Sequence, residues 1–134
     1  MPKVFTSETQ KIGEMGENIA CKFLVKQGFS ILDRNYTRKY GEIDIVAQEG
    51  SRIHFVEVKA VTRDLSVKRE TLDQYKPEDN MHPWKLKRLS RTIQTYLIAK
   101  KVPENVEWQF DLIVVFMDMK TKKARVKVVR DVIL

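Results

Sequence analysis

A chain of 134 residues, 43% hydrophobic and 32% charged, has the size and composition of one globular domain with a real core. No apolar run approaches the length of a membrane span, and the N-terminus lacks the apolar segment of a signal peptide, which argues against the membrane and secreted classes. The formal net charge of +7 favours an anionic partner such as nucleic acid, although a basic solvated surface would have the same composition.

The cysteine content indicates the redox setting. Cys21 is the only cysteine, so the chain can form no internal disulfide and no cysteine-based zinc site. A reducing, cytoplasmic location without a membrane partner fits this usage. Because Cys21 falls within a predicted helix, a small buried hydrophobe is favoured over a reactive thiol.

The first predicted element is a helix that begins with a capping box at Ser7-Glu8-Thr9-Gln10 and ends near Gly28. Gly13 and Gly16 are poor helix formers, and their spacing of one turn suggests a close approach of the helix backbone to a sheet. Glu17 lies at the edge of the apolar stripe, where spacing alone favours an ordinary exposed glutamate. The apolar residues at helical spacing are Ile12, Met15, Ile19, Ala20, Phe23 and Leu24.

Three strands follow and form a predicted meander. The first runs from Phe29 to Thr37, with Ile31 and Leu32 as core candidates. The other two lie within residues 41–59 and flank the polar turn Gln48-Glu49-Gly50-Ser51, which is typical of a β-hairpin.

Carboxylates converge on this hairpin. With alternating side chains, Asp44 and Glu57 share a face in either of the two registers that the turn permits. Opposite or diagonal neighbours lie roughly 5–8 Å apart, which suits two carboxylates sharing one metal ion. Glu42 shares the face of Asp44, Lys59 shares the face of Glu57, and His54 points away as a structural histidine. Charge at the end of a strand with an apolar back predicts a function, because burial of charge is expensive.

Residues 60–82 form a predicted long polar loop that starts beside these carboxylates. Closure over a substrate and a flexible insertion are both open interpretations. Pro83 then suits the first turn of a second helix, and Trp84 either stacks on a base or, more commonly for such a residue, is buried. The core stripe of this helix is Leu86, Leu89, Ile93 and Leu97.

The second helix is also strongly basic. Residues 83–101 contain no acid, which favours phosphate contact over a merely solvated face. The six cations are Lys85, Lys87, Arg88, Arg91, Lys100 and Lys101.

Two strands complete the chain. Val106 to Met117 has a near-continuous apolar centre, which suits a strand covered on both faces. Thr121-Lys122-Lys123 predicts a turn, and Ala124 to Ile133 predicts a final strand at the edge of the sheet.

Asp44 followed by Glu57-Val58-Lys59 resembles the PD-(D/E)XK nuclease signature. A lone Glu-x-Lys is a weak signal, but a longer ordered set covers the chain from about Lys11 to Phe116 and is similar to the YraN-like family of predicted endonucleases, relatives of archaeal Holliday-junction resolvases. The set consists of Gly13-x-x-Gly16-Glu17-x-x-Ala20, Arg34-Asn35-Tyr36, Gly41-Glu42-Ile43-Asp44, Phe55-Val56-Glu57-Val58-Lys59 and Phe110-Asp111.

The resemblance implies one restriction-endonuclease-like α/β domain over residues 1–134, a mixed β-sheet flanked by helices in the order helix, three-strand meander, helix, two strands. It implies a Mg²⁺ or Mn²⁺ ion, since hard oxygen ligands select such ions. The implied metal ligands are Asp44, Glu57 and the carbonyl of Val58. Glu17 is implied either as a further ligand or as a group behind the ligands. Lys59 would lie near the attacking water and the scissile phosphate.

Three further positions bear on the resemblance. Asp111 aligns with the Phe-Asp element of the family, and a structural pairing with a lysine or arginine is favoured for it. The arginine common shortly after Glu-x-Lys is delayed to Arg63, and Gln109 replaces an arginine frequent before Phe-Asp. These departures concern substrate contacts and not the metal site.

The expected function is a Mg²⁺- or Mn²⁺-dependent endodeoxyribonuclease acting on duplex or branched DNA, such as recombination and repair intermediates. The expected phosphate contacts are Lys85, Lys87, Arg88 and Arg91. The alternative is a non-catalytic DNA-binding or assembly module that retains the nuclease fold, which would not require an intact Asp44, Glu57 and Lys59. Charge does not distinguish DNA from RNA, and a symmetric junction would favour a homodimer.

Overall fold

The computed structural model describes residues 7–66, 74, 76 and 81–134. The elements in this part of the chain are α1 Glu8–Lys26, β1 Ser30–Arg38, β2 Gly41–Glu49, β3 Arg52–Thr62, α2 Pro83–Ala99, β4 Trp108–Asp118 and β5 Lys123–Val129. The five strands form one sheet in the order β1-β2-β3-β4-β5, in which only β3 and β4 are parallel, joined by a crossover through α2. The predicted α/β architecture, a mixed sheet flanked by helices in the expected order, is confirmed.

Helix α1 begins and ends as its sequence indicates. The amide of Gln10 donates to Ser7 Oγ at 3.1 Å and the amide of Ser7 donates to Gln10 Oε1 at 3.3 Å, so the capping box is confirmed. Gly28 follows the helix with φ of +98°, a conformation that favours glycine. Gly16 lies so close to β3 that a Cβ there would be 2.8 Å from a side-chain atom, whereas a Cβ at Gly13 would meet nothing within 4 Å. Only Gly16 therefore mediates the close approach predicted for both.

The two helices cover opposite faces of the sheet. Strand β4 supplies residues to both resulting cores, which confirms that its apolar centre is buried on both sides. The core under α1 contains Ala20, Leu24, Phe29, Ile45, Ala47, Val56, Ile113, Val115 and Met117. The core under α2 contains Tyr36, Ile43, Val46, Ile53, Phe55, Leu89, Ile93, Tyr96, Phe110 and Leu112.

Some predicted core positions are exposed instead. Met15 is exposed on α1, and Leu32 is exposed because the β1–β2 register shifts between Ile31 and Asp33, which adds a residue on β1. Trp84 is 68% exposed, so its predicted burial is wrong. Consecutive helical residues point about 100° apart, and α2 turns its Lys85 side toward the sheet.

Several boundaries also differ from the prediction. Strand β3 continues to Thr62, paired with β4, so the loop begins at Arg63 and not at residue 60. Residues 67–73, 75 and 77–80 lie outside the described part, and the interpretations of that loop fall largely on them. Strand β5 is an edge strand as expected but ends at Val129, because Asp131 adopts φ of +54° and its amide turns back to Asp111 Oδ1 at 2.8 Å. Among the described helices, none is long and apolar enough to span a membrane.

Candidate active site

The candidate site lies where β2 and β3 separate. Their pairing begins at the hairpin and ends at Ile45 opposite Val56, although β3 continues alongside β4. Extending that register by one residue places Asp44 across from Glu57, one of the two predicted registers. At this point the amide of Val58 donates to Asp44 Oδ2 at 2.8 Å. A side chain thus takes the place of a ladder hydrogen bond just where the strands part.

The pleat of β2 is irregular at Asp44. Ile43 belongs to the core under α2 and Ile45 to the core under α1, although residues two apart in a regular strand share a face. Strand β1 is irregular at the same level, since Asn35 lies across from Asp44 and has φ of +51°. The strict alternation from which the sequence predicts a shared face therefore does not hold through Asp44.

The motif Arg34-Asn35-Tyr36 builds this irregularity. Arg34 faces α1, where its Nη2 lies 2.9 Å from Asn18 Oδ1 and 3.6 Å from Glu17 Oε1. Tyr36 faces α2, where its ring meets the ring of Tyr96 edge-on at 4.9 Å. Two residues apart, they anchor β1 to opposite helices, which requires the intervening asparagine to leave the regular strand conformation.

Electrostatic repulsion is concentrated on Asp44. The pKa of its carboxyl group is raised to about 7, chiefly by burial; the Val58 amide opposes that rise, and the carboxylates of Glu17, Glu57 and Glu42 contribute to it. Three of the acids that the sequence places near the site therefore act on Asp44. A divalent cation would relieve this repulsion, so the residues fit a hard metal ion.

The described residues contain no group of three or more His, Cys, Asp or Glu side chains arranged to hold a metal ion. Mg²⁺ is commonly held by one or two carboxylates, with water and substrate oxygens completing its coordination. Asp44 and Glu57, with the Val58 carbonyl, remain the predicted ligands on that basis. Glu17 is ion-paired with Arg34 and acts on Asp44 through its charge, which suits a position behind the ligands.

Glu57 has a cationic partner that the sequence did not place there. Lys85 Nζ, from the first turn of α2, lies 2.9 Å from Glu57 Oε1. The sequence assigns Lys85 to phosphate binding, but the structure brings it to the carboxylate itself. Lys59, two residues beyond Glu57 on β3, is exposed.

The turn between β1 and β2 is docked on α2 and adds cations beside those of the helix. Tyr40 Oη lies 2.6 Å from Thr95 Oγ1, and the Arg91 guanidinium lies 4.1 Å from the centre of the Tyr40 ring. A Cβ at Gly41 would come within 2.5 Å of a side-chain oxygen on α2, so this contact requires glycine. We define the basic track as the exposed residues Arg38, Lys39, Arg88 and Arg91.

Sequence reasoning missed Arg38 and Lys39. The signal was present as two adjacent cations just before the Gly41-Glu42-Ile43-Asp44 motif, but only the docking of Gly41 on α2 shows that they join the helix cations. Of the other predicted phosphate contacts, Lys87 is exposed and its Nζ lies 5.9 Å from the centre of the exposed Trp84 ring. Trp84 is therefore accessible for base stacking.

A buried histidine–aspartate pair lies apart from these acids. His54 Nδ1 and Asp111 Oδ2 are 2.7 Å apart, and Asp111 Oδ1 accepts hydrogen bonds from Gln109 Nε2 and the Asp131 amide, each at 2.8 Å. His54 is buried and paired through Nδ1, as a structural histidine would be, but its Nε2 has no hydrogen-bond partner among the described residues, so its hydrogen bonding is only half satisfied. The predicted pairing of Asp111 with a lysine or arginine is wrong, because a histidine occupies that position. Gln109, which replaces an arginine of the family, bonds the same aspartate.

Comparison with known proteins identifies relatives along most of the chain. Residues 16–115 match the uncharacterised protein family UPF0102. A UPF0102 protein of Campylobacter jejuni is 40% identical over 107 residues, covering 80% of this chain and 85% of the relative. A UPF0102 protein of Caldicellulosiruptor saccharolyticus is 32% identical over 122 residues, covering 91% and 96%, and one of Flavobacterium psychrophilum is 33% identical over 117 residues, covering 87% and 90%. The chain therefore belongs to the uncharacterised protein family UPF0102, the YraN-like family that its motifs resemble.

Proposed function

We propose that this protein is a metal-dependent endonuclease that hydrolyses phosphodiester bonds in DNA. The observation that carries the proposal is the carboxyl group of Asp44, held by the Val58 amide where β2 and β3 part and surrounded by further acids. A stable fold alone does not require a half-buried carboxylate with acidic neighbours, since its ionisation opposes folding. A bound cation gives this arrangement a purpose.

In the proposed reaction each residue has one task. Asp44, Glu57 and the Val58 carbonyl would hold Mg²⁺ or Mn²⁺, and Glu17 would add negative charge from behind these ligands. When bound, the ion supplies positive charge that activates the attacking water and neutralises the phosphate oxygens. Lys59 orients that water and offsets the charge that develops on the phosphate.

The basic track supports nucleic acid as the substrate. Its four exposed cations come from α2 and from the β1–β2 turn docked on the same helix, so the flanking backbone of a nucleic acid can be held beside the carboxylates. Such contacts fix the position of the substrate but do not read its sequence. Branched DNA is the favoured substrate because the motifs resemble those of relatives of junction resolvases.

One observation favours a second function, a non-catalytic DNA-binding or assembly module. Glu57 is neutralised by Lys85 at 2.9 Å, as a carboxylate with a purely structural role would be. In such a protein the basic track would bind DNA and the acids would have no metal to hold.

Cleavage assays distinguish the two functions. Labelled duplex, single-stranded, flap and four-way-junction DNA, with RNA versions of each, would be incubated with Mg²⁺, Mn²⁺, Ca²⁺ or EDTA. We expect cleavage with Mg²⁺ or Mn²⁺ and DNA binding with little cleavage in Ca²⁺. We expect no cleavage in EDTA.

Variants then test the residues. Asp44→Asn, Glu57→Gln and Lys59→Ala should each lose most cleavage while retaining DNA binding. Glu49→Gln changes an exposed carboxylate at the far end of β2 and is the matched control, which should cleave as wild type does. Activity in EDTA, or near-normal activity in both Asp44→Asn and Lys59→Ala, would refute catalysis at this site and leave the binding module as the better proposal.

A further inference from the structure

The position of Lys85 is unfavourable within its own helix. Pro83 opens α2, the side chain of His82 accepts the amide of Trp84 at 3.2 Å, and the first turn contains no acid. Because the N-terminal end of a helix carries partial positive charge, a cation there is destabilising. Glu57, a carboxylate outside α2, offsets this unfavourable interaction of Lys85.

The ion pair between Lys85 and Glu57 also permits exchange of the lysine for another cation. The side chain of Lys85 is 52% exposed and that of Glu57 is 21% exposed, so solvent can reach the pair and solvate the lysine when it leaves. Ion pairs of such exposure contribute little to stability, because solvent screens them and holding a long side chain costs entropy. A divalent ion with a stronger attraction for the carboxylate can replace the ammonium group.

We propose that Lys85 is a positioning residue that holds Glu57 until metal binds, and then transfers its charge to a phosphate of the substrate. This inference rests on the proposed nuclease function. An ammonium group and a divalent ion repel each other when both lie against one carboxylate. A metal ion held by Glu57 would therefore displace Lys85, and a phosphate of bound substrate would offer the lysine a new partner. Lys85 thus weakens metal binding in the free protein and strengthens the joint binding of metal and DNA.

Metal titration of the protein without DNA provides the first test. Mn²⁺ affinity would be measured calorimetrically for the wild type, Lys85→Ala, Lys100→Ala and Glu57→Gln, with circular dichroism to confirm folding. Lys100 is a matched control because it also pairs with a carboxylate, Asp33 at 3.8 Å, and is 48% exposed, but it lies beyond the opposite end of α2. We expect Lys85→Ala to bind Mn²⁺ about fivefold more tightly, Lys100→Ala to match the wild type, and Glu57→Gln to bind much more weakly.

The second test measures coupling to the substrate. Junction DNA would be titrated in Ca²⁺ and in EDTA, and the gain in DNA affinity that Ca²⁺ confers should be several-fold smaller in Lys85→Ala than in the wild type or Lys100→Ala. Unchanged or weaker Mn²⁺ binding in a folded Lys85→Ala protein overturns the inference about Lys85. If Glu57→Gln binds Mn²⁺ weakly in the same experiment, the proposed metal site is still supported. If Mn²⁺ affinity is the same in the wild type and Glu57→Gln, the metal site itself fails and the inference fails with it.

Discussion

Replacement of Asp44 by asparagine should stabilise the metal-free protein. The side chain of Asp44 is half-buried near Glu17, Glu57 and Glu42, and the pKa of its carboxyl group is raised to about 7 from an ordinary value of 3.8. Between those two pH values the folded protein holds a proton that the unfolded chain has released. The free energy of unfolding therefore falls as pH rises from about 4 to 7 and levels off above that, where Asp44 is ionised in both states.

The size of the effect follows from the same pKa. Each pKa unit corresponds to about 1.36 kcal/mol, so the rise from 3.8 to about 7 costs the folded protein up to about 4 kcal/mol at pH 8. Asparagine retains an oxygen that can accept the hydrogen bond from the Val58 amide. Its side-chain NH₂ group, however, needs hydrogen-bond acceptors of its own, and leaving these hydrogen bonds unmade costs about 1–3 kcal/mol. We therefore expect Asp44→Asn to gain about 2 kcal/mol at pH 8.

The assay is urea unfolding followed by circular dichroism in EDTA at four pH values from 5 to 8. The difference in free energy of unfolding between Asp44→Asn and the wild type should grow by about 2.5 kcal/mol across this range. Glu49→Gln, on the same strand but exposed, should follow the wild type at each pH. A difference that does not change with pH, or a variant less stable than the wild type at pH 8, would refute the account of a half-buried carboxylate under repulsion. Added Mn²⁺ should stabilise the wild type more than Asp44→Asn.

Three further changes test other parts of the structure. Gly16→Ala should destabilise the fold by about 1–3 kcal/mol because its Cβ would clash with β3, whereas Gly13→Ala, with open space around it, should stabilise α1 by about 0.5–1 kcal/mol; thermal unfolding compares them. Asp111→Asn should lower the midpoint of thermal unfolding, since it weakens a buried network, but should leave Mn²⁺ affinity unchanged; a loss of affinity would place Asp111 in the metal site. Arg38→Ala combined with Lys39→Ala should flatten the log–log salt dependence of duplex binding by about 1.8, and an unchanged slope would show that the β1–β2 turn does not contact phosphate.

Short-range interactions made much of this fold predictable. The capping box at Ser7, the left-handed Gly28 after α1, the turn at Gly50 and the helix start at Pro83 each depend on a few adjacent residues. The burial of β4 on both faces followed from its continuous apolar centre, whereas its parallel pairing with β3 was not predicted. The carboxylates could be named from the sequence because their charge interrupts apolar strands.

Long-range placement was not predictable in the same way. Helical spacing identifies α2 but does not fix which side of its first turn meets the sheet, so Lys85 was assigned to phosphate contact and burial was favoured for Trp84. Alternation assumes a regular pleat, and single-residue irregularities change the outcome. The register shift before Asp33 exposes Leu32, and the break at Asn35 and Asp44 brings the site together by a route that spacing cannot show.

The irregular backbone of β1 also affects how this protein behaves in a crowded solution. Strand β1 forms one edge of the sheet, and a straight edge exposes a row of amide and carbonyl groups that can template pairing with another chain. The register shift between Ile31 and Asp33 and the left-handed Asn35 interrupt that row twice within nine residues. Edge-to-edge joining of two sheets through β1 is therefore unfavourable, both as a path to aggregation and as the basis of a homodimer. The distortion opposite Asp44 thus also protects an exposed strand from unwanted association.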